Sequence, residues 1–397
     1  MGAGIQGICC ALALSNLGIS VTMVDKTPEP LSRSGLRNEG KIHLGFIYAN
    51  DPSFRTASLM LRSAISFSPM IESFVGHKID WTPLRSRKFN YLILGETMLH
   101  PDSILAHYEQ LQDEYEKIKD QSLHYLGNRP DELFTNEDLE IPELNRDIVR
   151  MCVPTEELAI NLDAFRTLLI TEMKSRSNIV FLGSHTIEEI QKTSYGYLLK
   201  GKKNHQNDWT LQSEQVVNCL WENRLYFDSQ LGIETDRKWV YRLKYRILGK
   251  PCGHIAALDS FTCVLGAFGD LVNYDNHHSY LSWYPECMRG WSSDITTPVN
   301  WEDACNGNML LREKEEWVDK ALSGLDNIFP GLADFDVRQL DGGIIFSWGK
   351  TDIDDFNSEL HNRFEIGINQ VDGYYSIDTG KFTSAPYFAT EFQKYFL

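Results

Sequence analysis

Residues Met1 to Lys26 constrain the fold more than any other stretch of the chain. Gly2, Gly4 and Gly7 form G-x-G-x-x-G, an apolar run follows from Ile8 to Leu17, Gly18 breaks it, and Val21-Thr22-Met23-Val24 ends at Asp25. Loop, helix and strand in this order make part of a dinucleotide-binding unit. Gly2 permits the tight turn, Gly4 lets backbone approach a diphosphate, and Gly7 lets the helix pack closely on a sheet. Unpaired N–H groups and a partial positive charge at the helix start suit an anion. Asp25, at the end of the strand, can accept hydrogen bonds from an adenosine ribose and would repel a 2′-phosphate, which disfavours NADP. The candidate nucleotide contacts are therefore Gly2, Gly4, Ile5, Gly7, Asp25 and Lys26. The competing reading is a glycine-rich loop that holds no ligand. Only Met1 precedes the motif where a buried strand should stand, so the nucleotide-binding domain is expected to lack its first strand.

Length and charge narrow the class. A chain of 397 residues buries a large core and is expected to form two domains. With 38 Lys and Arg against 55 Asp and Glu the net charge is -17, which argues against nucleic acid but leaves room for a local basic pocket. The 8 cysteines are scattered, Cys9-Cys10 being the one adjacent pair. No C-x-x-C or Cys/His metal spacing occurs, so reduced thiols, a cytoplasmic setting and no metal are expected. The apolar N-terminal helix is too short to span a membrane and has no basic segment before it, so neither a transmembrane segment nor a signal peptide is expected.

After Asp25 and the prolines Pro28 and Pro30, the chain reads Ser32-Arg33-Ser34-Gly35-Leu36-Arg37-Asn38-Glu39-Gly40-Lys41-Ile42-His43-Leu44-Gly45. A simple nucleotide unit would go straight into its second helix. This polar, glycine-containing loop instead suits backbone lying against a flat ligand. It resembles the family of FAD-dependent oxidoreductases typified by D-amino acid oxidase, with glycine oxidase, glycerol-3-phosphate dehydrogenase and L-2-hydroxyglutarate dehydrogenase among its members. In the last two, a Ser-rich loop ending in Ile-His-x-Gly lies beside the isoalloxazine ring, and Ile42-His43-Leu44-Gly45 matches that ending. The resemblance implies FAD as cofactor, with Arg37, Asn38, Gly40, Ile42 and His43 among its contacts. The competing reading is a solvated loop whose His43 satisfies a backbone group.

Element order extends the resemblance. Ser53 to Val75 reads as a helix kinked or interrupted at Pro69, Phe89 to Leu94 as a strand opening a second domain, Pro101 to Lys119 as an amphipathic helix, and Leu133 to Leu144 as a short helix and connection. Asn161 to Ser175 reads as a helix, followed by short strands ending in Val216-Val217-Asn218. Family members continue that last strand into small residues, whereas here Cys219-Leu220-Trp221 follows. Tyr241, Leu243, Tyr245 and Ile247 alternate with Arg242, Lys244 and Arg246, the period of a strand with one polar face. Phe261 to Tyr284 reads as an antiparallel hairpin, and Leu310 to Leu322 as an amphipathic helix. In the family a glycine-rich turn before the last helix caps the flavin's pyrimidine end, and Gly380-Lys381 fits there. A positive charge at that point would stabilise reduced flavin. The expected fold is α/β: a Rossmann-type FAD-binding domain from 1–76, 150–227 and 336–397, and an α+β substrate domain from 77–149 and 228–335 with a large antiparallel sheet.

For the chemistry, carboxylate-oxidising relatives pair an Arg bidentately with the substrate acid and finish its binding with Tyr hydroxyls. The candidates are Arg289 and Arg242 with Tyr280 and Tyr284, the competing reading for each aromatic being core packing. Tyr280, Ser282 and Tyr284 would share one strand face. His43 is the candidate acid/base, because imidazole titrates near neutral pH. The expected activity is oxidation of a C–N or C–O bond in a small substrate, an amino acid, hydroxy acid or relative, with hydride passing to flavin N5. An NAD-dependent dehydrogenase and a flavin-binding protein without turnover are the alternatives. The substrate and the electron acceptor stay open at this level.

Overall fold

A computed structural model describes residues 1–120, 122–275, 277–310 and 316–397. The glycine loop runs into helix Ile5–Asn16, in which every residue from Ile5 to Ser15 is buried. A helix with no polar face belongs inside a protein. This one packs against the closing helix Ala385–Gln393, where Gln393 Nε2 donates to Ala13 O at 3.1 Å.

Strand Val21–Val24 pairs in parallel with Ile179–Leu182. Strand Val216–Asn218 pairs in parallel with Tyr374–Asp378, which is antiparallel to Gly367–Val371. The backbone of Met1 and Gly2 lies between these two small sheets. Gly2 N donates to Val24 O at 2.8 Å, the Met1 amine to Val217 O at 2.8 Å, and Cys219 N to Met1 O at 2.9 Å. The glycine loop therefore sits at the carboxyl ends of parallel strands, where an open α/β sheet receives its ligand. This is the Rossmann-type layer, carried here on two sheets bridged by two residues.

The other half is built on an eight-stranded sheet. Its order is Met288–Ser292, Trp239–Lys250, Ser279–Trp283, Gly269–Asn273, Ser260–Cys263, Phe89–Leu94 and Val149–Pro154, with Asp336–Trp348 also paired to Trp239–Lys250. Within this sheet, among the described strands, only the pairing of Ser260–Cys263 with Phe89–Leu94 is parallel. The hairpin is present, with Gly269 opposite Trp283 and Asn273 opposite Ser279, and it lies on a different sheet from Val21–Val24. Val149–Pro154 and Asp336–Trp348 also join the large sheet, although a division by motif places most of both with the cofactor half. Asp336–Trp348 is drawn there by pairing along the whole of Trp239–Lys250.

The alternating segment is indeed a strand, and its polar face turns to neighbouring acids and to the cleft. Arg242 and Arg246 are buried, Arg246 Nε donating to Asp341 Oδ1 at 2.5 Å and Arg242 Nη1 to Asp352 Oδ1 at 2.8 Å. Three sequence readings of elements differ from the structure. Helix Arg55–Val75 runs on through Pro69. Leu133 to Leu144 forms no helix, because its backbone pairs instead with the neighbouring edge: Thr135 N donates to Pro154 O and Leu139 N to Cys152 O. The helix expected from Leu310 is seen as Glu316–Asp326, residues 311–315 lying outside the described ones.

Candidate active site

One cleft runs from the glycine loop to the inner face of the large sheet, enclosing about 1640 Å³ of empty space with its mouth included. Ligand sites of this kind are large, concave and carry a few placed polar groups. At the nucleotide end it is lined by Gly2, Gly4, Ile5, Asp25, Lys26, Arg37 and Asn38. Gly2 has φ +87°, and a Cβ there would stand 2.7 Å from Cys219 O. A Cβ on Gly7 would stand 2.0 Å from Gly2 O, so this glycine closes the loop on its own helix and stays out of the cleft. Gly4 is the opposite case, since a Cβ there meets nothing within 4 Å. It opens the first turn of a helix with no side-chain cap, leaving N–H groups free for an anion.

Asp25 is already partly engaged, accepting from Ala3 N at 2.7 Å and from Thr27 N and Oγ1 at 2.8 Å each. It thereby ties the loop to the strand while still facing the cleft. Lys26 pairs with Glu302 at 3.0 Å. Arg37 has its Nε and Nη1 buried without a hydrogen-bond partner, and the nearest acid, Asp341, stands 3.5 Å from Nε. Open space above a bare helix start, in a cleft also lined by a buried guanidinium with Nε and Nη1 free of hydrogen bonds, suits the diphosphate of FAD. The residues present fit the cofactor.

At the inner end the cleft is lined by Glu39, Lys41, His43, Lys244, Tyr280 and Lys381. Charges here are dense and mostly paired. Asp270 takes Lys41 Nζ at 3.1 Å and Lys244 Nζ at 3.5 Å, and also accepts from Thr262 Oγ1 at 2.8 Å. Burial alone would raise the Asp270 carboxyl, but Lys41 and Lys244 hold it well below the usual carboxylate range. Burial would likewise raise Glu39, and the Lys244 and Lys381 cations bring it to about 2. Lys381 follows Gly380, whose φ of +65° turns the chain before the last helix. Burial, then the neighbouring Arg363 cation, lowers its amine to about 7.

His43 is buried, and burial lowers its imidazole. Nδ1 is 3.7 Å from Glu157 Oε1, and Nε2 is 3.8 Å from Glu39 Oε1. Its backbone N–H donates to Thr383 Oγ1 at 3.0 Å, so the loop and the chain end are stitched together at this residue. Beside it stands a cluster that sequence reasoning did not find. The Tyr48 ring is 5.7 Å from the His43 ring, and its hydroxyl is buried without a partner. Burial raises that hydroxyl, with Arg363 the main opposing charge. Arg363 donates from Nε to Leu360 O at 2.9 Å, while no partner for its two Nη groups is seen among the described residues. Burial and Arg242 lower its guanidinium to about 10. These residues come from segments hundreds of positions apart and carry no local motif; Tyr48, three residues past Gly45, was the nearest to a signal.

The structure does not bring every candidate to the cleft. Arg289 is exposed on strand Met288–Ser292, its guanidinium 6.0 Å from the Tyr245 ring centroid. This corrects its assignment as a substrate-binding residue: in this register Met288 is buried and Arg289 points outward. Tyr284 is not on a strand with Tyr280, because the strand ends at Trp283 and Tyr284 opens a helical turn. Its hydroxyl bonds Asp352 at 2.5 Å and accepts from Arg242 Nη1 at 2.8 Å, so Tyr284 and Arg242 are held by each other and by Asp352. Gly40 and Ile42 also lie behind the cleft wall. A Cβ on Gly40 would stand 2.2 Å from Ile160 O, and Ile42 pairs with Leu158. Cys219, Leu220 and Trp221 do line the cleft, so the departure from small residues still leaves this strand end against the glycine loop.

Residues 1–220, more than half of the 397, match the model of the FAD dependent oxidoreductase family, DAO, and the chain belongs to that family. Its cofactor is FAD and it is an oxidoreductase. No curated protein sequence matches it significantly. Among solved structures it is similar to the glycine oxidase of Geobacillus kaustophilus, with TM-score 0.65, 13% identity, and 98% of this chain and 91% of that one covered. It is similar to L-proline dehydrogenase from P. horikoshii, with TM-score 0.66, 14% identity and coverages of 100% and 91%. It is also similar to the glycerol-3-phosphate dehydrogenase of Bacillus halodurans, solved with FAD, with TM-score 0.56, 16% identity and coverages of 99% and 62%. At such identities these likenesses establish the fold. Among the described residues no helix is long and apolar enough to cross a membrane, and no group of His, Cys, Asp and Glu is arranged to hold a metal.

Proposed function

We propose that this oxidoreductase oxidises a C–N or C–O bond next to a carboxylate, in an amino acid, hydroxy acid or close relative. The observation that carries the reading is an unpartnered pair packed directly behind His43 and Lys381, which line the inner end of the cleft. Arg363 has free Nη donors, Tyr48 a free hydroxyl, and both stand near His43 and Lys381. A buried guanidinium with open donors is matched by a planar, bidentate carboxylate. Arg242 is already committed to Asp352 and Tyr284 and so is not open to a substrate carboxylate in the same way.

FAD, when bound, would supply the acceptor for the hydride, which carries both electrons. The chain's own residues do the rest. Arg363 and Tyr48 hold the carboxylate and so fix which carbon faces the cofactor. His43, kept neutral by burial, accepts the substrate's N–H or O–H proton. Lys381 places a cation at the inner end of the cleft, and Tyr280, buried over Lys244, shapes the wall there. The 8 cysteines are all free thiols, which supports a reducing, cytoplasmic setting. The chain is read as two discontinuous units, the glycine-loop unit and the sheet unit, with the cleft between them.

His43→Asn tests this reading by single-turnover flavin reduction in protein whose bound-flavin spectrum is intact. The expected loss is on the order of 10²-fold. An unchanged rate across pH would make His43 structural.

A further inference from the structure

The loop Pro154 to Ile160 brings one carboxylate to the heart of the site that the reading above leaves unused. Glu157 is fully buried. Its Oε2 accepts from Leu44 N at 2.7 Å and its Oε1 from Tyr91 OH at 2.5 Å. Lys41, near His43, is turned to Asp270 and Thr262 instead. Burying a carboxylate is costly unless hydrogen bonds or a cation repay it. The group that faces Glu157 with a site open is His43: Nδ1 is buried, has no hydrogen-bond partner, and stands 3.7 Å from Oε1. Closing that gap to a hydrogen bond takes about 1 Å, within reach of a small turn of the ring.

We propose that Glu157 is the positioning residue of His43: its carboxylate accepts a hydrogen bond from Nδ1–H, which turns the free Nε2 toward the cleft, and its charge balances the imidazolium formed when Nε2 accepts a proton from substrate. This rests on His43 being the proton acceptor. In that step the substrate N–H or O–H bond breaks, its electron pair stays on nitrogen or oxygen, and the proton forms a bond to Nε2. The hydride goes to the family's FAD. An imidazole alone in this pocket would be a poor acceptor, because burial, Lys381 and Lys41 all oppose its charge. Glu157 behind the ring, Glu39 beside Nε2, and uncharged Tyr48 and Thr383 complete its surroundings.

Glu157→Gln removes the charge and keeps the shape. In the FAD-loaded protein the maximal rate of anaerobic reduction should fall about tenfold or more, with KM within about twofold and the flavin spectrum unchanged. The acid limb of the pH profile should move to lower pH, since the anion that favours imidazolium is gone. The NMR titration of the His43 ring, read without turnover, should move the same way. Glu157→Asp, which draws the carboxylate back, should shift both in the same direction by less; if the Gln variant does not fold, the Asp variant decides. Tyr91→Phe removes the other side-chain contact of Glu157 and should leave the limb in place. Unmoved limb and titration in the Glu157 variants, or an equal shift in Tyr91→Phe, would overturn the assignment. A normal rate in His43→Asn would instead overturn the role of His43 itself.

Discussion

In the proposed reading, Arg363 is the residue on which substrate recognition turns. Replacing it with Leu removes the open donors and leaves Tyr48 with a carboxylate to desolvate alone. Loss of one side of a buried charged pair costs about 2–5 kcal/mol, so the Kd of a carboxylate inhibitor should rise by about 10² or more. FAD binding should be unaffected, and a methyl ester should bind the variant and the parent alike. Equal inhibitor affinity in both would remove Arg363 from the site. Lys381 adds a pH dependence whose sign is fixed by its direction. Its amine is lowered from the ordinary lysine value to about 7, so the cation is present below that pH and lost above it. Anionic inhibitors should therefore bind more weakly as pH rises through 7, and Lys381→Met should flatten the slope. Between about 7 and the ordinary value the unfolded chain holds more protons at this position, so stability should rise with pH across that window and fall on acidification toward 7. Urea unfolding at several pH values in parent and Lys381→Met checks it. At this scale the sequence was legible where chemistry coincided with a motif: His43 in Ile-His-x-Gly and Lys381 after Gly380 reach the cleft. Arg363, Tyr48 and Glu157 were not, since nothing local distinguishes a buried Glu in Thr155-Glu156-Glu157 from a solvated one. Arg289 shows the converse error: residue type was right, but a strand shows each side chain to one face, and pattern alone did not say which.

The glycine loop is the element whose parts can be told apart by one methyl group. Gly7→Ala drives a Cβ to 2.0 Å from Gly2 O, so the helix must move away from the loop. Clear loss of thermal stability and of FAD together is expected. Gly4→Ala meets no atom of the protein, and its backbone is in the ordinary extended region at φ -73°. Its methyl would occupy the space above the helix start, so the melting temperature without FAD should hardly change while FAD affinity falls sharply. Thermal melts with and without FAD decide this, and unaltered affinity in Gly4→Ala would place the diphosphate elsewhere. Elements with strong periodicity were legible: the first helix, Val21–Val24, the hairpin, and the strand Trp239–Lys250. The polar face of Trp239–Lys250 was legible, but not what covers it, because alternation records two faces without naming what lies against each. Leu133 to Leu144 was misread because its amides found an edge strand contributed from elsewhere.

At the scale of the whole molecule, the cleft is walled by both halves of the chain, and its two ends answer to different chemistry. Gly2, Gly4 and Asp25 line the end proposed for the nucleotide, and His43, Lys381 and residues of the large sheet line the end proposed for a small acid. The two sheets beside the glycine loop are bridged by the backbone of Met1 and Gly2, and Arg33 links the loop to Glu302 at 2.7 Å and Glu222 at 2.8 Å. A ligand spanning the cleft ties these pieces together, so FAD at about 100 times its Kd should add about 2.7 kcal/mol to stability. The most direct measurement is the visible spectrum of the FAD-loaded protein during anaerobic addition of amino acids and 2-hydroxy acids. Retained flavin absorbance, bleached by at least one free acid and left untouched by its methyl ester, is the predicted result. A chain that holds no flavin, or a bound flavin that no carboxylate of either class reduces, would contradict the account.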